Sequence, residues 1–250
     1  MESIITPSEE LKIFRGEDFR INEFFSIHIP TLNEICDMGE SEYYSTIYQI
    51  TSTPTDMCWQ LWDNGIDYTK ISDWELFYKI IVKALPFERT KIIFGDIEFD
   101  KFTYETHPQN GSIILLHPSK KWYIDEFTYE TIVQIIREIH FFKKNIAIPA
   151  NESTKMILIE DAREDYLIRK NKPSQSYLLN LISAMTNIEG FKYNHNTVWD
   201  VKINAFMDSV MRIGKIKNAN LLLQSGYSGF GINLKEINKK QIDWMGSLRD

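Results

Sequence analysis

Lys91-Ile-Ile-Phe94-Gly95-Asp-Ile97-Glu-Phe99-Asp-Lys-Phe102, then Asn110-Gly111-Ser-Ile-Ile-Leu-Leu116, then Trp122-Tyr-Ile124, decide the fold of this chain. The first and last runs are β-branched and aromatic, and Asn-Gly between apolar runs is the strongest short-range hairpin signal. Together they predict a small antiparallel sheet over about residues 90–124. On either side the apolar period changes from two to about 3.6 residues, the helical period. The expected class is therefore α+β, mainly helical, with a small antiparallel β-sheet between two helical parts.

Working outward towards the N-terminus, residues 41–85 read as three short helices. Tyr43-Tyr44, Ile47-Tyr48 and Ile50 form one apolar face. After Pro54, Thr55 or Asp56 caps a second helix carrying Met57, Trp59, Leu61 and Trp62, which ends at Asn64-Gly65. Ser72-Asp-Trp74-Glu75 is a capping box that opens a third, running to Pro86. Residues 1–40 read as irregular, with one extended run from Phe19 to Ile29. Towards the C-terminus, Asp125 caps a helix from Glu126 to Phe142 whose apolar face holds Phe127, Ile132, Ile135-Ile136 and Ile139. Ala147-Ile-Pro149 is a linker. It divides the chain into residues 1–149 and a helical part, 150–250, with an apolar tail; two parts and one continuous domain are both compatible with this pattern. Helices are expected over Glu152 to Lys170, from a Ser174 cap to about Ile188, and from Asn204 towards Gly226.

The chain has 250 residues, 43% of them hydrophobic and 25% charged, which is a globular balance. A net charge of −7 argues against a free-standing nucleic-acid binder, because phosphate contacts need a basic surplus. The two cysteines, Cys36 and Cys58, are too few for a thiolate zinc site and are not spaced as a redox pair; both read as buried free thiols. No signal peptide and no membrane span are visible. The chain is expected to be soluble and intracellular where it is made.

The signatures of phosphate loops, zinc proteases and serine hydrolases are absent. Gly226-Tyr-Ser-Gly229-Phe-Gly231 follows a helix and reads as a helix end and turn. His28, His107, His117, His140 and His195 lack the i, i+3 or i, i+4 spacing of a local metal pair, although His107 and His117 flank the hairpin and would meet across it. Asp96, Glu98 and Asp100 alternate along the expected strand, giving a solvated outer face over inward Ile97 and Phe99. Glu160 to Asp165 is a solvated helix face in which Asp165 pairs with Arg169. No catalytic residue, cofactor or metal is expected.

An aromatic excess stands out instead. Trp59, Trp62 and Trp74, with Tyr43, Tyr44 and Tyr48, read either as core or as an interaction surface, where Trp and Tyr dominate. In the last long helix Phe206, Val210 and Ile213 make one stripe, and Met207 and Met211 widen it into adaptable surface for a partner or into core.

Several phrases occur together: Ile29-Pro-Thr-Leu-Asn-Glu34-Ile35, Gly39-Glu-Ser-Glu-Tyr-Tyr44, Gly65-Ile-Asp-Tyr68, Ile71-Ser-Asp-Trp-Glu-Leu-Phe77, Val198-Trp-Asp200, Phe206-Met-Asp-Ser-Val-Met-Arg-Ile213 and Tyr227-Ser-Gly229. In this order, across residues 20–245, the chain resembles a group of proteins encoded among the tail-morphogenesis genes of phages and prophages of low-GC Gram-positive bacteria. The resemblance implies a virion-assembly role, as a tail assembly chaperone or a minor tail, connector or baseplate component. Its implied partners are other phage structural or assembly proteins, or further copies of the chain. It carries no functional residues over. An enzyme with a distributed site, and a nucleic-acid-associated factor argued from the helix-turn-helix-like run 175–213, are the competing expectations.

Overall fold

The computed structural model describes residues 5–107, 110–118, 122–172, 175–228 and 237–248. In chain order these form α1 (Pro7–Phe14), β1 (Phe19–Arg20), β2 (Ser26–Ile27), α2 (Leu32–Met38), α3 (Glu40–Thr51), α4 (Cys58–Asp63), α5 (Asp73–Lys79), α6 (Phe87–Phe94), β3 (Thr103–Thr106), β4 (Ile113–Leu116), β5 (Tyr123–Ile124), α7 (Glu126–His140), α8 (Glu152–Lys170), α9 (Tyr177–Thr186), α10 (Ile203–Tyr227) and α11 (Lys239–Ile242). Among the described residues 59% are helical and there are two small antiparallel sheets, which is the mainly helical α+β class expected from the changes of period.

Residues 5–40 hold more regular structure than expected. Thr6 with Glu9, and Thr31 with Glu34, form capping boxes that open α1 and α2, just as Ser72 and Glu75 open α5. The extended run from Phe19 is a hairpin, because the Asn22 side chain accepts the N–H groups of Phe24 and Phe25 and folds the chain back.

The expected first strand is the larger correction. Residues 87–94 form α6, burying Thr90, Ile93 and Phe94 on one helical face, and Gly95 ends it at φ +63°, a conformation open to glycine. Ile97 and Phe99 do point inward, but a 3₁₀ turn over Phe99–Lys101 replaces a ladder there. The three-stranded sheet is therefore shorter, β3-β4-β5, with Thr103 opposite Leu116 and Leu115 opposite Ile124. Asn110 and Gly111 lie in the β3–β4 connection, as the hairpin signal predicts. His107 sits across from Ser112 at the turn end of this hairpin, and His117 lies against Phe102 and Trp122 at the other end. The two histidines do not meet.

The core centres on α7, where nine residues from Thr128 to His140 are buried, including Ile132, Ile135, Ile136 and Ile139. Phe127, expected on that face, is exposed. Residues after 150 share the same core. Thr31 bridges to Lys202, Leu32 N–H donates to Val201 O (3.0 Å), Ile203 N–H donates to Pro30 O (2.8 Å), and Phe206 is fully buried. The first turns of α10 are thus rooted in the body, whereas beyond Met207 only Ala219 is buried on that helix. The α9 N-cap is Ser176; Ser174 and the Gly229–Gly231 part of the glycine-rich run lie outside the described residues. Residues 187–202 separate α9 from α10, far more than the roughly three or four of a helix-turn-helix. Cys58 is buried as expected, but Cys36 is exposed on α2.

Candidate functional site

The aromatic residues singled out by sequence do not form one patch. Trp74 is 6% exposed and stacks on Phe77 and against Tyr129, so it is core. Trp59 packs on Tyr166 of α8 with ring centroids 5.0 Å apart, and Lys155 of α8 lies 5.3 Å over the Trp62 ring. These two tryptophans fasten α8 to α4. Two ion pairs reinforce the seam, Arg163 with Asp63 and Lys155 with Asp67. The Thr69 hydroxyl, helped by the Lys155 ammonium, holds the Asp67 carboxyl well below the usual carboxylate range. Tyr43 is fully buried.

Met207 and Met211, one turn apart on α10, have different surroundings. Met211 is 42% exposed beside Lys215 and Ser247. Met207 is buried and lines a groove of about 490 Å³ that α3, the end of α7, and α9 complete. Tyr44, His140, Phe142 and Tyr177 give this groove its aromatic walls. The Tyr44 ring stands nearly perpendicular to both Tyr177 (centroids 6.2 Å apart) and His140 (6.5 Å), and Phe142 lies 5.6 Å from His140.

Local structure sets each wall. Glu40, at the start of α3, accepts the Leu178 N–H (2.8 Å) and the Ser176 hydroxyl, so it caps α9 and places Tyr177 opposite Tyr44. At the other wall α7 ends with Phe141 in the left-handed region (φ 57°, ψ 34°), and Phe142 N–H reaches back to Arg137 O (3.0 Å). Glycine usually fills that position, so a phenylalanine there costs roughly 1–2 kcal/mol. The turn sends Phe142 to the groove, while Phe141 packs towards α1 and Asn204.

The floor is uncharged at ordinary pH. His140 donates from Nδ1 to Ile136 O (2.7 Å), which leaves Nε2 to accept the Tyr43 hydroxyl (2.6 Å). Burial pushes the His140 pKa down to about 4 and the Tyr43 phenol well up. Tyr44 is also raised, by burial first and then by Tyr177 and Glu40. Among the described residues lining the groove, Glu40 carries the only charge.

The His140 acceptor is occupied by Tyr43, and the Ser176 hydroxyl donates to Glu40 while accepting the Leu179 N–H, so both groups are tied into the helix ends. Among the described residues no group of three or more His, Cys, Asp or Glu is placed to hold a metal ion, and no helix is long and apolar enough to cross a membrane. Compared with protein-family models, curated proteins and solved structures, the chain matches none. The groove itself was not legible in the sequence, since its walls come from positions 40–44, 140–142, 175–177 and 207, each unremarkable in its own neighbourhood.

Proposed function

We propose that the protein is a non-enzymatic phage virion-assembly protein, a tail assembly chaperone or a minor tail, connector or baseplate component, acting through its C-terminal helices. Its place of action on this reading is the host cytoplasm during assembly, or the virion. The phage context comes from the sequence resemblance. The observation that carries the mode of action is α10, rooted in the core at Phe206 yet presenting exposed Met211, Leu221 and Tyr227 beyond it. α8 adds Ile157, Tyr166, Leu167 and Ile168 to the exposed apolar surface of this part. Exposed apolar side chains displayed on helices suit protein partners. Against the nucleic-acid reading stands the net charge of −7, since phosphate contacts need a basic surplus.

The test is co-purification with tail proteins from a lysate of phage-producing cells. Met211→Glu with Leu221→Ser should abolish it without shifting the melting curve. Normal co-purification and normal tails with this double variant would reject the α10 surface. Met207→Glu is no substitute, since it would bury a carboxylate next to that of Glu40 and destabilise the fold.

A further inference from the structure

The groove between α3, α7, α9 and α10 has a chemical character distinct from the apolar helix surfaces on which the assembly reading rests. We propose that it is a binding site for a quaternary alkylammonium group, with Tyr44, Tyr177 and Phe142 as the aromatic walls and Glu40 as the countercharge.

Three observations select this class of ligand. First, Tyr44 stands nearly perpendicular to Tyr177 and to His140, with centroids 6.2 and 6.5 Å apart, Phe142 lies 5.6 Å from His140 at a 41° tilt, and all four line the groove, so one cation can lie within about 6 Å of more than one ring centroid. Second, the charge is one-sided. Glu40 stands one helical turn before Tyr44 on the same face of α3, and no basic side chain is among the described residues lining the groove. An anion would meet only a carboxylate and the negative faces of rings. His140 does not oppose a cation, because its burial keeps it neutral above about pH 4.

Third, the countercharge and the floor are engaged. Each Glu40 oxygen already accepts one hydrogen bond, from Ser176 or from Leu178, and the Tyr43–His140 pair is closed on itself. A primary ammonium or a guanidinium would have to find its further acceptors away from the countercharge, at Ser41, Gln175 or the tyrosine hydroxyls. A trimethylammonium brings no N–H donor. It gains from the ring faces, from Met207 and from the Glu40 charge without asking for new acceptors. The volume, about 490 Å³, accommodates such a group with its attached chain.

The experiment is isothermal titration of the full chain with choline and with its neutral carbon isostere, 3,3-dimethylbutan-1-ol. Choline should bind at least about tenfold more tightly than the isostere, the difference expected when a cation rests on aromatic faces. Tyr177→Leu, at a half-exposed position, should weaken choline by about tenfold while the melting temperature stays put. Glu40→Gln keeps an acceptor for Leu178 and removes only the charge, so it should weaken choline and leave the isostere unchanged. Competition by phosphatidylcholine vesicles would assign the cation to a lipid headgroup; choline binding that is indifferent to them would assign it to a free solute. Equal affinity for choline and the isostere, no choline binding, or choline binding unaffected by Tyr177→Leu would each overturn the proposal. None of these results bears on tail-protein co-purification, so this site and the assembly role stand or fall separately.

Discussion

α7 and α8 have similar lengths and opposite situations. Of the fifteen residues of α7, nine are buried; of the nineteen of α8, two are, Lys155 and Ile159. α7 is surrounded by packed elements and is held by apolar area, which is non-directional and cooperative. α8 is held along one seam by Ile159, the Trp59–Tyr166 contact, and the ion pairs of Lys155 and Arg163. α10 combines both conditions in one helix, buried at its root and only partly covered beyond Met207, where Val210 and Ile213 still pack against the core and Met211 and Leu221 are exposed. Helical content alone therefore says little about role. The residues that hold this fold and the residues free to meet a partner can sit one turn apart.

The sharpest challenge to this contrast is Phe206→Ala. The ring is fully buried and meets Phe191 edge-on, so its loss should cost about 3–5 kcal/mol in a urea melt. The whole chain should unfold in one earlier transition. A separate early transition confined to the C-terminal helices would break the claim that α10 is rooted in the common core.

Next comes acid. His140 has a folded pKa of about 4 against an unfolded value near 6.5, so the unfolded chain takes up the proton first. The stability tied to neutral His140 is fully present above about pH 6.5 and is lost as pH falls through 4, for a total of about 3 kcal/mol. Denaturant melts between pH 7 and pH 4 should show this slope. The double variant Tyr43→Phe/His140→Leu, which leaves no buried donor or acceptor of the pair behind, should flatten it. An unchanged slope would show that other groups drive the acid response.

A smaller effect is expected at the rim of the body. Thr31→Ala removes the cap of α2 and should cost about 1 kcal/mol, read from the same melts. The smallest is one turn past Met207 on α10, where Met211→Glu should change stability by no more than about 0.5 kcal/mol. A large loss there would mean that this face of α10 is core after all, and the contrast with α7 would weaken.

Elements with a local chemical signature are legible in the amino-acid sequence alone. The Ser72–Glu75 box, the Asp125 cap and the bounds of α8 all rest on contacts within one helical turn. The Thr6–Glu9 and Thr31–Glu34 boxes carry the same signature, and reading residues 1–40 as irregular overlooks it. Residues 87–94 mislead for a physical reason. Ile92, Ile93 and Phe94 favour strands, but Thr90, Ile93 and Phe94 also share a helical face, and packing chose that face. Of the residues proposed for interaction, Trp74 and Met207 are buried while Met211 is exposed, a division that composition and spacing could not make.

The amino-acid sequence by itself determined the class, mainly helical with a small antiparallel sheet, because period, caps and turn residues act over a few neighbours. Only the tertiary structure decided which apolar side chains enter the core and which remain open. It also brought Glu40, Tyr44, His140, Phe142, Tyr177 and Met207 around one groove. Burial is a property of the whole packed body, and residues more than a hundred positions apart share no local signal that they will meet.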